Sequence, residues 1–280
     1  MQPENPPKQD ACTSAFYNVM LEHSALVVAH PDDEILWASS VAGKVGQVLI
    51  CFLAYPADTQ SGPARKRSLE EHPVRGIQSL GLDEADSFNG ADWRVPVLNE
   101  YGIELSKKPE AEAAYRKNAS TLRAMLRERL TGVRNVITHN PWGEYGHEDH
   151  IQVYRVLSAL RQELGFQLWF SNYVSNRSLE LMLAYVTPDP DDYLSLPTDP
   201  ALTRAAVEVY RRNDCWTWYP DWQWFDFECF VRDRDFPAES PINGRWIPVN
   251  LIKFAHRPAK PTQPPGLKQK AGKVLRKFLK

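Results

Sequence analysis

A continuous apolar run, ALVVA at 25–29, is followed by apolar residues at helical spacing in ILWASSVA at 35–42 and then by a second continuous run, VLICFLA at 48–54. Runs that are apolar at every position suit strands buried on both faces, which belong to parallel sheets with helical crossovers. The order strand, helix, strand therefore points the chain towards an α/β sheet from its first buried strand. The alternation continues. A helix is expected over 64–80, kinked or split at Pro73. A long amphipathic helix is expected over 111–131, where Ala114, Tyr115, Ala119, Leu122, Met125, Leu126 and Leu130 recur at three- and four-residue steps. A strand at 133–138, a helix over IQVYRVLSALRQEL and a strand at 167–174 complete the pattern.

The expected fold is α/β: a Rossmann-like doubly wound, mostly parallel sheet with helices on both faces and an aromatic-rich C-terminal extension. Residues 186–200 read as a proline-studded surface loop and 201–213 as a helix. CWTWYPDWQWFDFECF at 215–230 suits an aromatic subcore or edge strands covering the sheet, or else a face that stacks on sugar rings. In domain terms we expect a polar N-terminal tail at 1–23, a single domain over 24–256 with its motifs within 24–175, and a Pro-rich linker with a basic tail at 257–280.

With a formal net charge of −2 the chain has no overall attraction to nucleic acid. No segment is apolar for long enough to span a bilayer, and MQPENPPKQD lacks the pattern of a secretory signal. Cys12, Cys51, Cys215 and Cys229 form no CxxC pair, so a cytoplasmic location is the expectation. The tail GLKQKAGKVLRKFLK at 266–280, if helical, gathers Leu267, Ala271, Val274, Leu275, Phe278 and Leu279 on one face and cations on the other. That suits peripheral contact with an anionic membrane surface, or else a solvated or body-packed segment. Oligomeric state is not set by the sequence.

The chemistry is concentrated where strands end. His30, Asp32, Asp33 and Glu34 follow the first strand, and His139, His147, Asp149 and His150 follow the strand at 133–138. In open α/β sheets the ligand crevice lies at those ends, so two loops can meet across it. AspAsp before a helix could serve as a cap alone, but a second histidine–carboxylate cluster in the same topological position is not explained by capping. His139, without a partner at ligand spacing, reads as a hydrogen-bonded core or surface residue. Two neutral imidazoles and one carboxylate with an open position suit a catalytic zinc, and ligand type alone admits Fe2+. GxSxG, GxGxxG, P-loop and HExxH signatures are all absent.

AHPDDE at 29–34 together with GHEDH at 146–150 resembles the phosphatidylinositol N-acetylglucosamine de-N-acetylase family, also called PIG-L or LmbE-like, over about residues 24–175. The resemblance implies a metal-dependent amino-sugar deacetylase in which His30, Asp33 and His150 hold Zn2+ (or another divalent metal such as Fe2+) and Asp32 is the general base. His147, as a cation, would stabilise the oxyanion, with Asp149 holding its ring. Glu34 is left with a helix-start or supporting role. Tyr145, Arg67 and Asp92 are candidate substrate contacts, with Glu71 beside Arg67. Relatives carry an arginine and a glutamate on a helix ending in LeuGly, and here His72 and Pro73 interrupt that stretch. The implied reaction is hydrolysis of the acetamide of an N-acetylhexosamine in a glycoconjugate. The alternatives are a small thiol-sugar or glycopeptide-type substrate, or a non-catalytic sugar-binding protein.

Overall fold

The computed structural model describes residues 17–185, 192–234 and 247–254. The two apolar runs become adjacent parallel strands, β1 (Ser24–Val28) and β2 (Gln47–Ala54), with Leu26 opposite Val48 and Val28 opposite Ile50. Every residue of β1 is buried, as expected of a strand covered on both faces. Between them the chain forms two single-turn helices, α1 (Asp33–Leu36) and α2 (Ser39–Ala42). Then follow α3 (Ser61–Glu70), β3 (Ile77–Asp83) and a small hairpin, β4 (Leu98–Asn99) with β5 (Gly102–Ile103). Next come α4 (Glu112–Arg129), β6 (Asn135–Thr138), α5 (Glu148–Leu164) and β7 (Gln167–Ser171). The remaining elements are β8 (Tyr173–Ser175), α6 (Leu179–Tyr185), β9 (Tyr193–Pro197), α7 (Pro200–Arg212), β10 (Phe227–Arg232) and β11 (Asn250–Ile252).

The main sheet has seven strands in the order β3-β2-β1-β6-β7-β10-β9. The pairs from β3 through β7 are parallel, and β10 is antiparallel to both β7 and β9. Strands progress outward from β1 to β3 and then from β6 to β7 on the other side, so the order reverses between β1 and β6. That reversal opens a crevice at the carboxyl ends of these two strands. Side chains alternate across the sheet. Ala25, Val27 and Leu49 pack with Leu122 and Leu126 of α4 and Leu157 of α5, while Leu26, Val28 and Ile50 pack with Val41, Trp169 and Phe230 on the opposite face.

Three sequence expectations change, and the aromatic segment takes one of its expected forms. The helix expected over 64–80 ends at Glu70, and 77–83 is strand β3. β3 is an edge strand with a half-buried pattern, so IQSLGLD lacks the apolar density that marks an inner strand. The strand expected at 167–174 breaks at Asn172, whose N–H donates to Cys229 O, and β8 leaves to pair with β11. Within the expected loop 186–200, Tyr193–Pro197 is a strand, because the extension supplies β10 as its partner. The aromatic segment is not an edge. β10 lies inside the sheet, and Trp216, Trp218, Trp222, Trp224 and Phe225 pack against Leu36, Trp37, Tyr145 and Tyr173 as a subcore. No helix among the described residues is long and apolar enough to cross a membrane. The tail at 266–280 lies outside the described residues.

Candidate metal centre and adjoining cavity

β1 and β6 are neighbours in register, and the loops leaving their ends bring the two clusters together. Asp33 lies at the centre. Its Oδ2 accepts from the His30 backbone N–H at 2.8 Å, and its Oδ1 accepts from the Trp37 indole at 2.8 Å. The same Oδ2 lies 3.3 Å from His30 Nδ1 and 3.3 Å from His150 Nε2. Ligand atoms of His30, Asp33 and His150 fall within 4.8 Å of one another, and all three residues are buried.

Each imidazole of this trio is oriented by a carboxylate on its far side. His150 Nδ1 meets Glu144 Oε2 at 2.7 Å, which leaves Nε2 as the nitrogen facing Asp33. That Nε2 is buried and makes no hydrogen bond among the described residues. His30 Nε2 meets Asp149 Oδ2 at 3.2 Å, leaving Nδ1 beside Asp33. Such carboxylate–histidine pairs fix the tautomer of metal-binding imidazoles. Burial alone would lower the His30 pKa, but Glu84, Asp149 and Asp33 outweigh it and raise it to about 10. Burial would raise Asp33, yet His150 and His139 hold it well below the usual carboxylate range. The cluster thus favours added positive charge. With an orphaned buried nitrogen and a two-imidazole, one-carboxylate donor set, these residues fit a divalent cation.

His139 is a hydrogen-bonded core residue: Nε2 accepts from the Ala29 N–H at 2.8 Å, Nδ1 faces Glu144 at 3.2 Å, and the ring stacks on His150 at 3.8 Å. Asp32 adopts φ 96°, a left-handed backbone that costs a non-glycine residue about 1–3 kcal/mol. Burial, Asp33 and Glu34 push its carboxyl well above the usual range, against opposing effects of Arg65 and His30. Its Oδ2 accepts from the Thr217 hydroxyl at 3.4 Å.

His147 caps α5, its Nδ1 accepting from the Asp149 N–H at 3.1 Å. An imidazolium has no lone pair to accept with, so the ring is neutral in this geometry and its proton is on Nε2. Burial, His150 and His30 likewise push its pKa well below the usual value. The expected cation is thus replaced by a neutral donor. The expectation that Asp149 holds the His147 ring also changes: its carboxylate accepts from Ser87 Oγ at 2.7 Å and meets His30, and among the described residues its hydrogen bond to His147 comes from the backbone N–H. The ring is instead stacked between His150 and Phe88, each at 4.7 Å.

A cavity of about 880 Å³ adjoins this cluster, lined by His147, Tyr145, Phe88, Arg65, Arg67 and Trp218 among others. Tyr145 and Arg67 therefore reach it. Asp92 does not line it, because Arg94 and Lys107 hold its carboxylate at 2.8 and 3.1 Å on the surface. Glu71 is likewise absent from the lining and is held by Arg212 at 2.6 Å. Sequence reasoning missed Glu144, Phe88 and Arg65, the last paired with Glu84 at 2.5 Å. Arg65 was hidden in the basic run RKR, and nothing in the local pattern marks Phe88.

Residues 25–160 match the family model described as PIG-L, GlcNAc-PI de-N-acetylase. The 1D-myo-inositol 2-acetamido-2-deoxy-alpha-D-glucopyranoside deacetylase of Mycobacteroides abscessus is 25% identical over 193 residues, 62% of this chain and 68% of that protein. The protein of the same description from Mycolicibacterium gilvum is 25% identical over 194 residues, 62% of this chain and 66% of its own length. Among solved structures, a deacetylase–teicoplanin complex from teicoplanin biosynthesis aligns with a TM-score of 0.44 at 11% identity, covering 76% of this chain and 100% of that one.

Proposed function

Since residues 25–160 are a PIG-L family domain, we propose that this protein is a metal-dependent N-deacetylase that hydrolyses the acetamide of an N-acetylglucosamine-type sugar to acetate and a free amine. The observation that supports it most is the buried, unpartnered His150 Nε2 aimed at Asp33 beside His30. His30, Asp33 and His150 would hold the cation. When bound, it polarises the acetamide carbonyl and makes water acidic enough to ionise near neutral pH.

The chain's own residues supply the rest. Asp32, with a carboxyl made more basic by burial and its acidic neighbours, takes a proton from the attacking water and returns it to the departing nitrogen. His147 Nε2–H donates to the carbonyl oxygen as negative charge gathers there, its ring held by Phe88, His150 and the Asp149 amide. A silent sugar-binding protein would have no need of a buried, conformationally costly Asp32.

Small-molecule sites run to roughly 300–1,000 Å³, so a cavity of about 880 Å³ leaves room for an aglycone beyond one sugar ring. That supports a glycoconjugate substrate. The names of the curated relatives support a second reading, a small inositol glycoside. The test is acetate release by metal-replete protein from a panel holding the inositol glycoside of N-acetylglucosamine, lipid-linked N-acetylglucosamine and simple methyl glycosides. Acetate from one class identifies the substrate family, and acetate from none of them overturns the deacetylase reading.

A further inference from the structure

Glu34 is a motif carboxylate that takes neither a ligand nor a base role, yet it is fully buried and fully engaged. Its Oε2 accepts from the Asp32 backbone N–H at 3.0 Å, and its Oε1 accepts from the Tyr210 hydroxyl at 2.8 Å. Oε1 also lies 3.1 Å from His72 Nε2. That approach lies outside hydrogen-bond geometry, so among the described residues the Tyr210 hydroxyl is the side-chain donor to Oε1. Tyr210 belongs to α7, so a distant helix anchors this carboxylate behind the first strand-end loop.

What this carboxylate restrains is the residue with the unusual backbone. A left-handed aspartate persists where its surroundings over-determine it, and the hydrogen bond that the Asp32 carboxylate accepts among the described residues, from Thr217, is long at 3.4 Å. The direction of that carboxyl is therefore set chiefly by the peptide that carries it, whose N–H is fixed by Glu34.

We propose that Glu34, anchored by Tyr210, is a positioning residue that holds the Asp32 peptide so that its carboxyl faces the reacting water. This inference rests on the reading of Asp32 as general base.

The experiment uses full-length, metal-replete protein and the panel glycoside with the highest kcat/KM. Glu34→Ala is expected to lower kcat by about ten- to a hundredfold, the scale of a small misplacement of a reacting group, with KM within about twofold and metal content unchanged. Glu34→Gln, which keeps an oxygen for the Asp32 N–H, should recover part of the loss. On an Asp32→Asn background Glu34→Ala should add no further loss, because the two act on one step. Normal kcat in Glu34→Ala, or an undiminished further loss in the double variant, overturns the proposal. If Glu34→Ala does not fold, Tyr210→Phe serves instead: it should lower kcat several-fold at constant KM, and wild-type kcat in it overturns the proposal. Wild-type turnover in Asp32→Asn alone would instead remove the base assignment itself.

Discussion

Asp33 Oδ2 is approached by two imidazoles whose tautomers are fixed from behind, by Asp149 for His30 and by Glu144 for His150. Metal analysis of His30→Ala, Asp33→Ala and His150→Ala should show that each fails to retain a divalent cation, and full occupancy in any two would sink this ligand set. Glu144→Gln keeps every ligand but loses the carboxylate behind His150. Its metal affinity, measured by chelator competition, should fall by about 10–100-fold, and an unchanged affinity would dismiss that role. Asp32→Asn should keep its metal and lose about a hundredfold or more in turnover. The residues of the proposed ligand set were legible in the sequence because they follow strands too apolar to end anywhere but inside. Asp149 was misassigned for a geometric reason. His147 is the extended cap and Asp149 lies in the first turn of α5, where the Ser87 hydroxyl and the His30 ring, from two other loops, take its carboxylate. Glu144 was illegible because only the folded loop carries it back under His139 and His150.

Among the elements, α2 has an end that its own sequence does not cap. Glu228 of β10 accepts from the Ser39 N–H and Oγ at 3.0 and 2.8 Å and from the Ser40 N–H and Oγ at 2.8 and 2.6 Å, and it is fully buried. Glu228→Ala leaves those donors without an acceptor in the interior. It should destabilise the fold by about 2–3 kcal/mol in urea unfolding, and a change within experimental error would show that solvent reaches the site. The inner parallel strands could be read from uninterrupted apolar runs. β3 could not, since an edge strand shows the half-polar pattern of a surface helix. β9 was hidden because its pairing depends on β10, a strand embedded in an aromatic segment whose packing partners lie far away in the chain.

For the molecule as a whole, a cation at the switch point would join the loops of β1 and β6, and binding to the folded state alone raises stability. At a free metal concentration a thousand times Kd that amounts to about 4 kcal/mol, so chelation should lower Tm and metal return should restore it. A Tm indifferent to chelation, in protein shown to have lost its metal, would argue against such a tie. For the C-terminal segment 266–280 the proposal from sequence stands on charge and periodicity: full-length protein should co-sediment with anionic vesicles and a variant lacking 266–280 should not. Equal sedimentation of the two would remove the membrane role. The contact between Ser39 and Glu228 spans 189 residues. At a synthesis rate of roughly 5–20 residues per second, the loop bearing the first motif waits about 10–40 s on the ribosome for the carboxylate that caps its following helix. The catalytic machinery is therefore completed late in translation, after both recognisable motifs have emerged, and a nascent chain arrested near residue 175 is expected to display those motifs without holding them in their final arrangement.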